Sequence, residues 1–92
     1  MLKVRFTSQF KKDAKKLGKR KEDRTAINDV VEILMNEKPL PEKYKDHHLV
    51  ESRDYKACRE CHVKPDLLLI YAVEKEIKIL RLIRTGSHSD LF

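Results

Sequence analysis

Apolar and polar positions change period along the chain, and each period predicts an element. Leu2, Val4 and Phe6 alternate with Lys3 and Arg5, the pattern of a short half-buried strand. Thr7 or Ser8 then offers a hydroxyl cap for a helix in which Phe10, Ala14 and Leu17 recur at i, i+4 and i+7. Gly18 is a suitable stop for it. A second helix is predicted from about Asp23 to Asn36, with Ile27, Val30, Val31 and Leu34 as its apolar stripe. Pro39 and Pro41 end it. Beyond them the period shortens to that of sheet. A strand is predicted over Tyr55–Val63, with Ala57, Cys61 and Val63 on its apolar-leaning face. Lys64-Pro65-Asp66 forms a turn, since proline is preset for the second turn position. Leu67–Val73 is a continuous apolar run, long enough for a strand covered on both faces and short for a helix. Glu74-Lys75-Glu76 turns the chain into a last strand over Ile77–Arg84, which Gly86-Ser87 breaks before the tail Ser87–Phe92. The expected fold is α+β: two N-terminal helices on one face of a mostly antiparallel sheet, in the order β-α-α-β-β-β with a short C-terminal helix or tail. The opposite face is left to carry a site.

The chain's 92 residues allow one domain, spanning 1–92. No apolar run approaches the roughly 20 residues that span a bilayer, and the alternating start is unlike a secretory leader. Two cysteines are too few for a disulfide scaffold. A cytoplasmic location is the expectation. The net charge of +6 is unevenly placed. Residues 1–24 hold ten Lys/Arg against three Asp/Glu, whereas residues 25–92 hold eleven against twelve. The surplus lies in Lys11-Lys12, Lys15-Lys16 and Lys19-Arg20-Lys21. Such a stripe is either a solvated helix face or a sequence-blind phosphate contact. Residues able to act on a phosphate-rich substrate favour the second reading.

Those residues lie elsewhere in the chain. The four histidines, His47, His48, His62 and His88, all follow residue 46. In a meander the end of the strand carrying His62 and the region just past the last strand, carrying His88, can approach each other. Histidine titrates near neutrality, so two around one phosphodiester can act as general base and general acid. Asp66 fits either a turn former or a site carboxylate. Lys45, Arg59 and Arg84 flank the histidines in sequence and suit a phosphate. Phe92 suits either packing on the sheet edge or stacking on a base. Histidine and aspartate could also ligate a metal, but no His-x-x-x-His or comparable chelating spacing occurs. Cys58-Arg59-Glu60-Cys61-His62 matches a haem-attachment pattern in letters only. On a strand, residues three apart point to opposite faces, so the two sulfurs would not share a ligand.

Three segments carry a family resemblance: Tyr44-Lys45-Asp46-His47, Cys61-His62-Val63-Lys64-Pro65-Asp66-Leu67-Leu68-Leu69-Ile70-Tyr71, and Arg84-Thr85-Gly86-Ser87-His88-Ser89-Asp90-Leu91-Phe92. With these, the chain resembles the YafQ branch of the RelE-type toxins, within the RelE/ParE superfamily. The likeness covers essentially the whole chain. It implies a RelE-like fold and a ribosome-dependent endoribonuclease that cuts mRNA in the decoding site without a metal or other cofactor. The substrate's 2′-hydroxyl would attack the adjacent phosphorus, leaving a 2′,3′-cyclic phosphate and a 5′-hydroxyl. The resemblance also implies a cognate antitoxin, and it places the site at His47, His62, Asp66, His88 and Phe92. His48 stands where a proline is common in the family, which leaves the choice between His47 and His48 open.

The chemistry demands matching roles. The 2′-hydroxyl needs a base, here His47, and the leaving 5′-oxygen an acid, here His88. Asp66 would orient a histidine and His62 would stabilise charge. Lys45, Arg59 and Arg84 would meet phosphate, and Phe92 a base. Lys11, Lys12, Lys15 and Lys16 would bind ribosomal RNA. Two other readings compete: a non-catalytic nucleic-acid-binding module or repressor component, and a metal-dependent hydrolase.

Overall fold

The structure, a computed structural model, describes residues 1–18, 20–49 and 57–92. Lys19 of the basic cluster and the first residues of the strand expected from Tyr55 lie outside the described residues. The elements are β1 (Lys3–Phe6), α1 (Ser8–Leu17), α2 (Lys21–Met35), a 3-10 turn (Glu42–Tyr44), β2 (His47–His48), β3 (Arg59–Lys64), β4 (Leu67–Glu74), β5 (Ile79–Gly86) and α3 (His88–Leu91). The strands form one sheet in the order β1-β5-β4-β3-β2. Among the described strands only the β1–β5 pair is parallel; α1 and α2 carry the chain from β1 at one edge to β2 at the other, and β2 to β5 then run antiparallel back to β1.

The helices form where the apolar stripes predict them. Thr7 caps α1: its hydroxyl accepts from the Phe10 N–H at 2.9 Å and donates to the Ile83 carbonyl at 2.7 Å. One side chain thus satisfies a helix end and ties it to β5. Gly18 ends α1 at φ 62°. Helix α2 starts two residues earlier than the stripe indicates, at Lys21, because its first turn is polar and carries Glu22 and Asp23 at the positive end of the helix dipole.

Strand β4 is buried on both faces. Leu67, Leu69 and Tyr71 join Phe10, Ile27, Val30, Leu34, Leu80 and Leu82 beneath the helices. Leu68 and Ile70 pack on the other face against Leu91 of α3. Cys61 belongs to the first cluster and Cys58 to the second, so the two sulfurs are on opposite sides of the sheet. Burial pushes the Cys58 thiol up; burial, with Asp46 and Glu60 nearby, pushes that of Cys61 up to about 12.

Two strand boundaries differ from the sequence pattern. Lys75–Lys78 makes a turn, with Lys78 left-handed at φ 57°, so the exposed Ile77 belongs to the turn and not to β5. At its other end β5 runs through Gly86, which pairs with Leu68. A register shift near Ile83 separates the Ile70–Arg84 and Tyr71–Leu82 pairs. The short β2 is an element that the periodicity did not announce, because two residues carry no period.

Helix α1 is clamped to β5 by a buried ion pair. Asp13 accepts from Arg84 Nε and Nη2, both at 2.9 Å, and from the Thr85 N–H at 3.2 Å. Burial pushes the Asp13 carboxyl up, but Arg84, Thr85 and Gln9 outweigh it and hold the carboxyl below its ordinary value. A carboxyl depressed in the folded state adds stability that is complete above its unfolded pKa of 3.8 and is lost as pH falls through the lower folded value. Asp13→Ala leaves Arg84 without its carboxylate and is expected to cost about 3 kcal/mol at pH 7. Urea unfolding at pH 7 and pH 3 checks both statements: the deficit of the variant narrows at pH 3.

Candidate active site

The loop entering β2 is organised by Asp46. Its carboxylate accepts from Arg59 Nε and Nη2 at 3.1 and 2.9 Å and from the Tyr71 hydroxyl at 2.5 Å. Arg59 and Tyr71 are partners across β3 and β4, on the helix side of the sheet. Burial and the Asp46 carboxylate both push the Tyr71 hydroxyl up, so it stays a donor. Lys45, just before, is left-handed at φ 48°, and its carbonyl lies 2.9 Å from His47 Nδ1. The turn therefore aims the imidazole.

Register then separates the two adjacent histidines. His48 pairs with Arg59 and His47 with Glu60, and successive strand residues face opposite sides. His47 shares its side with Glu60 and His62; His48 lines a separate cavity with Arg59 and Tyr71. Glu60, at 4% exposure, lies between the site histidines: its Oε1 is 3.6 Å from His47 Nε2 and 3.7 Å from His62 Nε2. Sequence reasoning passed over Glu60. The signal was present, since Glu60 and His62 are two apart on one strand and share a face, but nothing in the sequence paired β2 with β3.

The same side of the sheet receives α3. His62 pairs with Leu68, and Leu68 with Gly86, so these residues form one row across β3, β4 and β5. At about 4.8 Å per strand, His62 and Gly86 are roughly 10 Å apart. From Gly86 the chain turns into α3 through a reciprocal cap. Ser87 Oγ accepts from the Asp90 N–H at 3.2 Å, and Asp90 Oδ2 accepts from the Ser87 N–H at 3.1 Å. Leu91 anchors the turn on Leu68 and Ile70. His88 and Phe92 are exposed, their ring centroids 5.2 Å apart.

The structure thus brings His47, Glu60 and His62 together, with α3, which carries His88 and leads into Phe92, packed on the same face. Asp66 lies at the β3–β4 turn, exposed and beside Ser87 and Asp90 in a cleft shared with α1 and α2. Arg59 and Arg84 differ from the exposed Lys45: their guanidiniums engage Asp46 and Asp13. Lys11, Lys12, Lys15 and Lys16 are all exposed along α1, outside this cluster. Among the described residues, no group of three or more His, Cys, Asp or Glu is arranged to hold a metal ion, and no helix is long and apolar enough to cross a membrane.

Residues 2–92 match the family described as the bacterial toxin of type II toxin-antitoxin systems, YafQ. The chain belongs to this family. It is 40% identical over 90 residues to the mRNA interferase toxin YafQ of Escherichia coli K12, covering 97% of this chain and 94% of that protein. A crystal structure of the E. coli DinJ–YafQ complex superposes with a TM-score of 0.85 at 40% identity, over 100% of this chain and 99% of that one. A metal-bound toxin from Helicobacter pylori superposes with a TM-score of 0.88 at 47% identity, over the full length of both chains. As in these relatives, the described residues follow a RelE-like α+β plan.

The α3 turn explains the glycine of the Arg84-Thr85-Gly86 segment. Gly86 has φ 151°, and a Cβ there would lie 3.2 Å from both Cβ and Oδ2 of Asp90. Gly86→Ala is therefore expected to cost about 2 kcal/mol and to shift α3. Urea unfolding measures the loss, and a weakened nuclear Overhauser contact between the His88 and Phe92 rings reports the shift.

Proposed function

We propose that this toxin is an mRNA interferase, a ribosome-dependent endoribonuclease that cuts mRNA in the decoding site by general acid–base catalysis. The observation that carries the reading is the pairing of His47 and His62 through buried Glu60, on the sheet face where α3 presents His88 and Phe92. The relatives' name, mRNA interferase toxin, supports the substrate class.

In the proposed reaction His47 takes the proton of the 2′-hydroxyl, whose oxygen attacks the adjacent phosphorus. The bond to the 5′-oxygen breaks, and His88 protonates that oxygen as it leaves. The products are a 2′,3′-cyclic phosphate and a 5′-hydroxyl end. The Lys45 carbonyl accepts from the His47 Nδ1–H, which orients the ring and leaves Nε2 to take the proton, and the Glu60 carboxylate, 3.6 Å from Nε2, stabilises the imidazolium that forms. His62 faces the charge developing on the phosphoryl oxygens, and Asp66 orients the acid side of the site. Lys45 and Arg84 provide positive charge for phosphate; Arg59, which the sequence also suggests for phosphate, lies on the helix side of the sheet and acts through Asp46, holding the loop that leads into His47. The two arginines are held in place by carboxylates that also offset part of their charge. Phe92 stacks on a base. Two histidines supply both proton transfers, so the step as proposed needs no metal.

The ribosome is the proposed docking partner, met by Lys11, Lys12, Lys15 and Lys16, and the cytoplasm is where the toxin acts. A cognate antitoxin, as in the DinJ–YafQ complexes, is the proposed neutralising partner.

Mapping mRNA 5′ ends on translating ribosomes tests the reading. Cuts locked to the reading frame are expected, unaffected by chelator, and His88→Ala should slow them by about 100-fold or more without lowering the melting temperature. A folded His88→Ala toxin that cuts at the normal rate overturns the role of His88. Activity lost in chelator and restored by metal replaces the mechanism with a metal-dependent one.

Replacing Lys11, Lys12, Lys15 and Lys16 together by Gln is expected to weaken ribosome binding and flatten its salt dependence by roughly three logarithmic units per decade of salt. Filter binding of ribosomes from 50 to 300 mM salt, on the order of the usual range, measures this. Unchanged affinity and slope exclude the stripe as the docking face.

A further inference from the structure

Beside the catalytic face lies a cleft to which no role has been given. Strand β2 covers β3 only at Arg59 and Glu60. Past that point the Glu42–Tyr44 turn packs beside β3, leaving a cleft of about 390 Å3 lined by Lys43, Tyr44, Lys45, His62, Lys64 and Pro65, with Val63. That is within the roughly 300–1,000 Å3 of small-ligand sites. Its lining contains three lysines and a histidine and no carboxylate.

Two of the three lysines are set by side-chain contacts. The Lys43 ammonium lies 5.0 Å over the Tyr44 ring, which holds it at the rim by cation–π attraction. Lys45 enters the lining from a left-handed backbone position, with its side chain exposed. Lys64 Nζ is 2.8 Å from Asp23 Oδ1 of α2, outside the cleft lining, which holds the ammonium at the cleft edge and offsets part of its charge. Two residues join the cleft to the chemistry. His62 lines it and also faces Glu60. Lys45 lines it, and its carbonyl meets the His47 ring.

We propose that this cleft is a second phosphate subsite, which holds the RNA phosphodiester flanking the scissile one through Lys43, Lys45 and Lys64. The inference rests on the ribonuclease reading and adds to it. A cationic cleft bounded by a site histidine is where the strand must pass on entering or leaving the site. The flanking phosphate draws the strand against Lys45 and so presses the substrate toward the imidazole that Lys45 orients. Lys43 and Lys64 touch no reacting atom. They belong to binding, and their loss should raise KM while leaving kcat intact.

The probe is a trinucleotide blocked by 2′-O-methyl groups, titrated into the full chain and followed by amide chemical shifts. Shifts are expected at Tyr44, Val63 and Lys64. Lys43→Gln and Lys64→Gln together should weaken binding roughly fivefold and raise KM for ribosome-bound mRNA by a similar factor, with kcat within about twofold. Lys43→Gln alone, which breaks no ion pair with α2, should show part of the effect and so guards against a folding artefact in the double variant. Shifts confined to α1, or affinity and KM unchanged in both variants, overturn the subsite. If the wild-type chain fails to cut mRNA on ribosomes, the ribonuclease reading falls by itself. The oligonucleotide titration still decides whether the cleft binds phosphodiester.

Discussion

Strand β4 is apolar on both faces, and the rest of the molecule is arranged by the need to cover both. Leu67, Leu69 and Tyr71 require the helices; Leu68 and Ile70 require a second cover, which the sheet's other face obtains from Leu91. A run of fully buried side chains of this kind contributes on the order of 2 kcal/mol per residue. It also admits only one register, because a slip of one residue would exchange the two faces. Everything chemical is measured from that register. Ile70 sets the row of Glu60 and His47, Leu68 the row of His62 and Gly86, and Leu91 returns α3 to the same two residues.

Three carboxylates then organise the polar groups around this frame. Asp13 joins α1 to Arg84, Asp46 joins the β2 loop to Arg59 and Tyr71, and Glu60 lies between two histidines. Asp13 and Glu60 are buried and Asp46 is half-buried, and each stands beside basic or hydrogen-bonding partners, as carboxylates drawn out of water must. The cations consequently divide into two kinds. Arg59 and Arg84 are pinned and partly neutralised, whereas the lysines of α1 lie in solvent with their charge available to a polyanion. This is a physical basis for the proposed separation of docking from chemistry in so small a chain. The arginine fork suits fixed geometry and the lysine point charge suits a non-specific surface.

Much of the fold was legible in advance because it rests on local regularities. The 3.6-residue stripes of α1 and α2, the Thr7 cap, the Gly18 stop and the continuous run at Leu67–Tyr71 are all written in neighbouring residues. Boundaries were less legible where no period exists, as at β2, or where a turn includes apolar Ile77. The candidate site was partly legible: residue types and the family segments indicated His47, His62, Asp66, His88 and Phe92. Glu60 was missed because its importance lies in a partner on another strand, and the pairing of Arg59 and Arg84 with carboxylates 13 and 71 residues away had no local signal.

By itself the sequence determined the element types, the single basic helix, the doubly buried strand and the inventory of groups able to move protons. These follow from side-chain period and chemistry, which act over a few residues. Only the tertiary structure decided that His47 and not His48 shares a face with Glu60 and His62. It also decided that α3 folds back over that face, and that Arg59 and Arg84 are anchored while the lysines of α1 are exposed. Those outcomes depend on strand register and on long-range burial. A shift of one residue would reverse each facing without changing any local pattern.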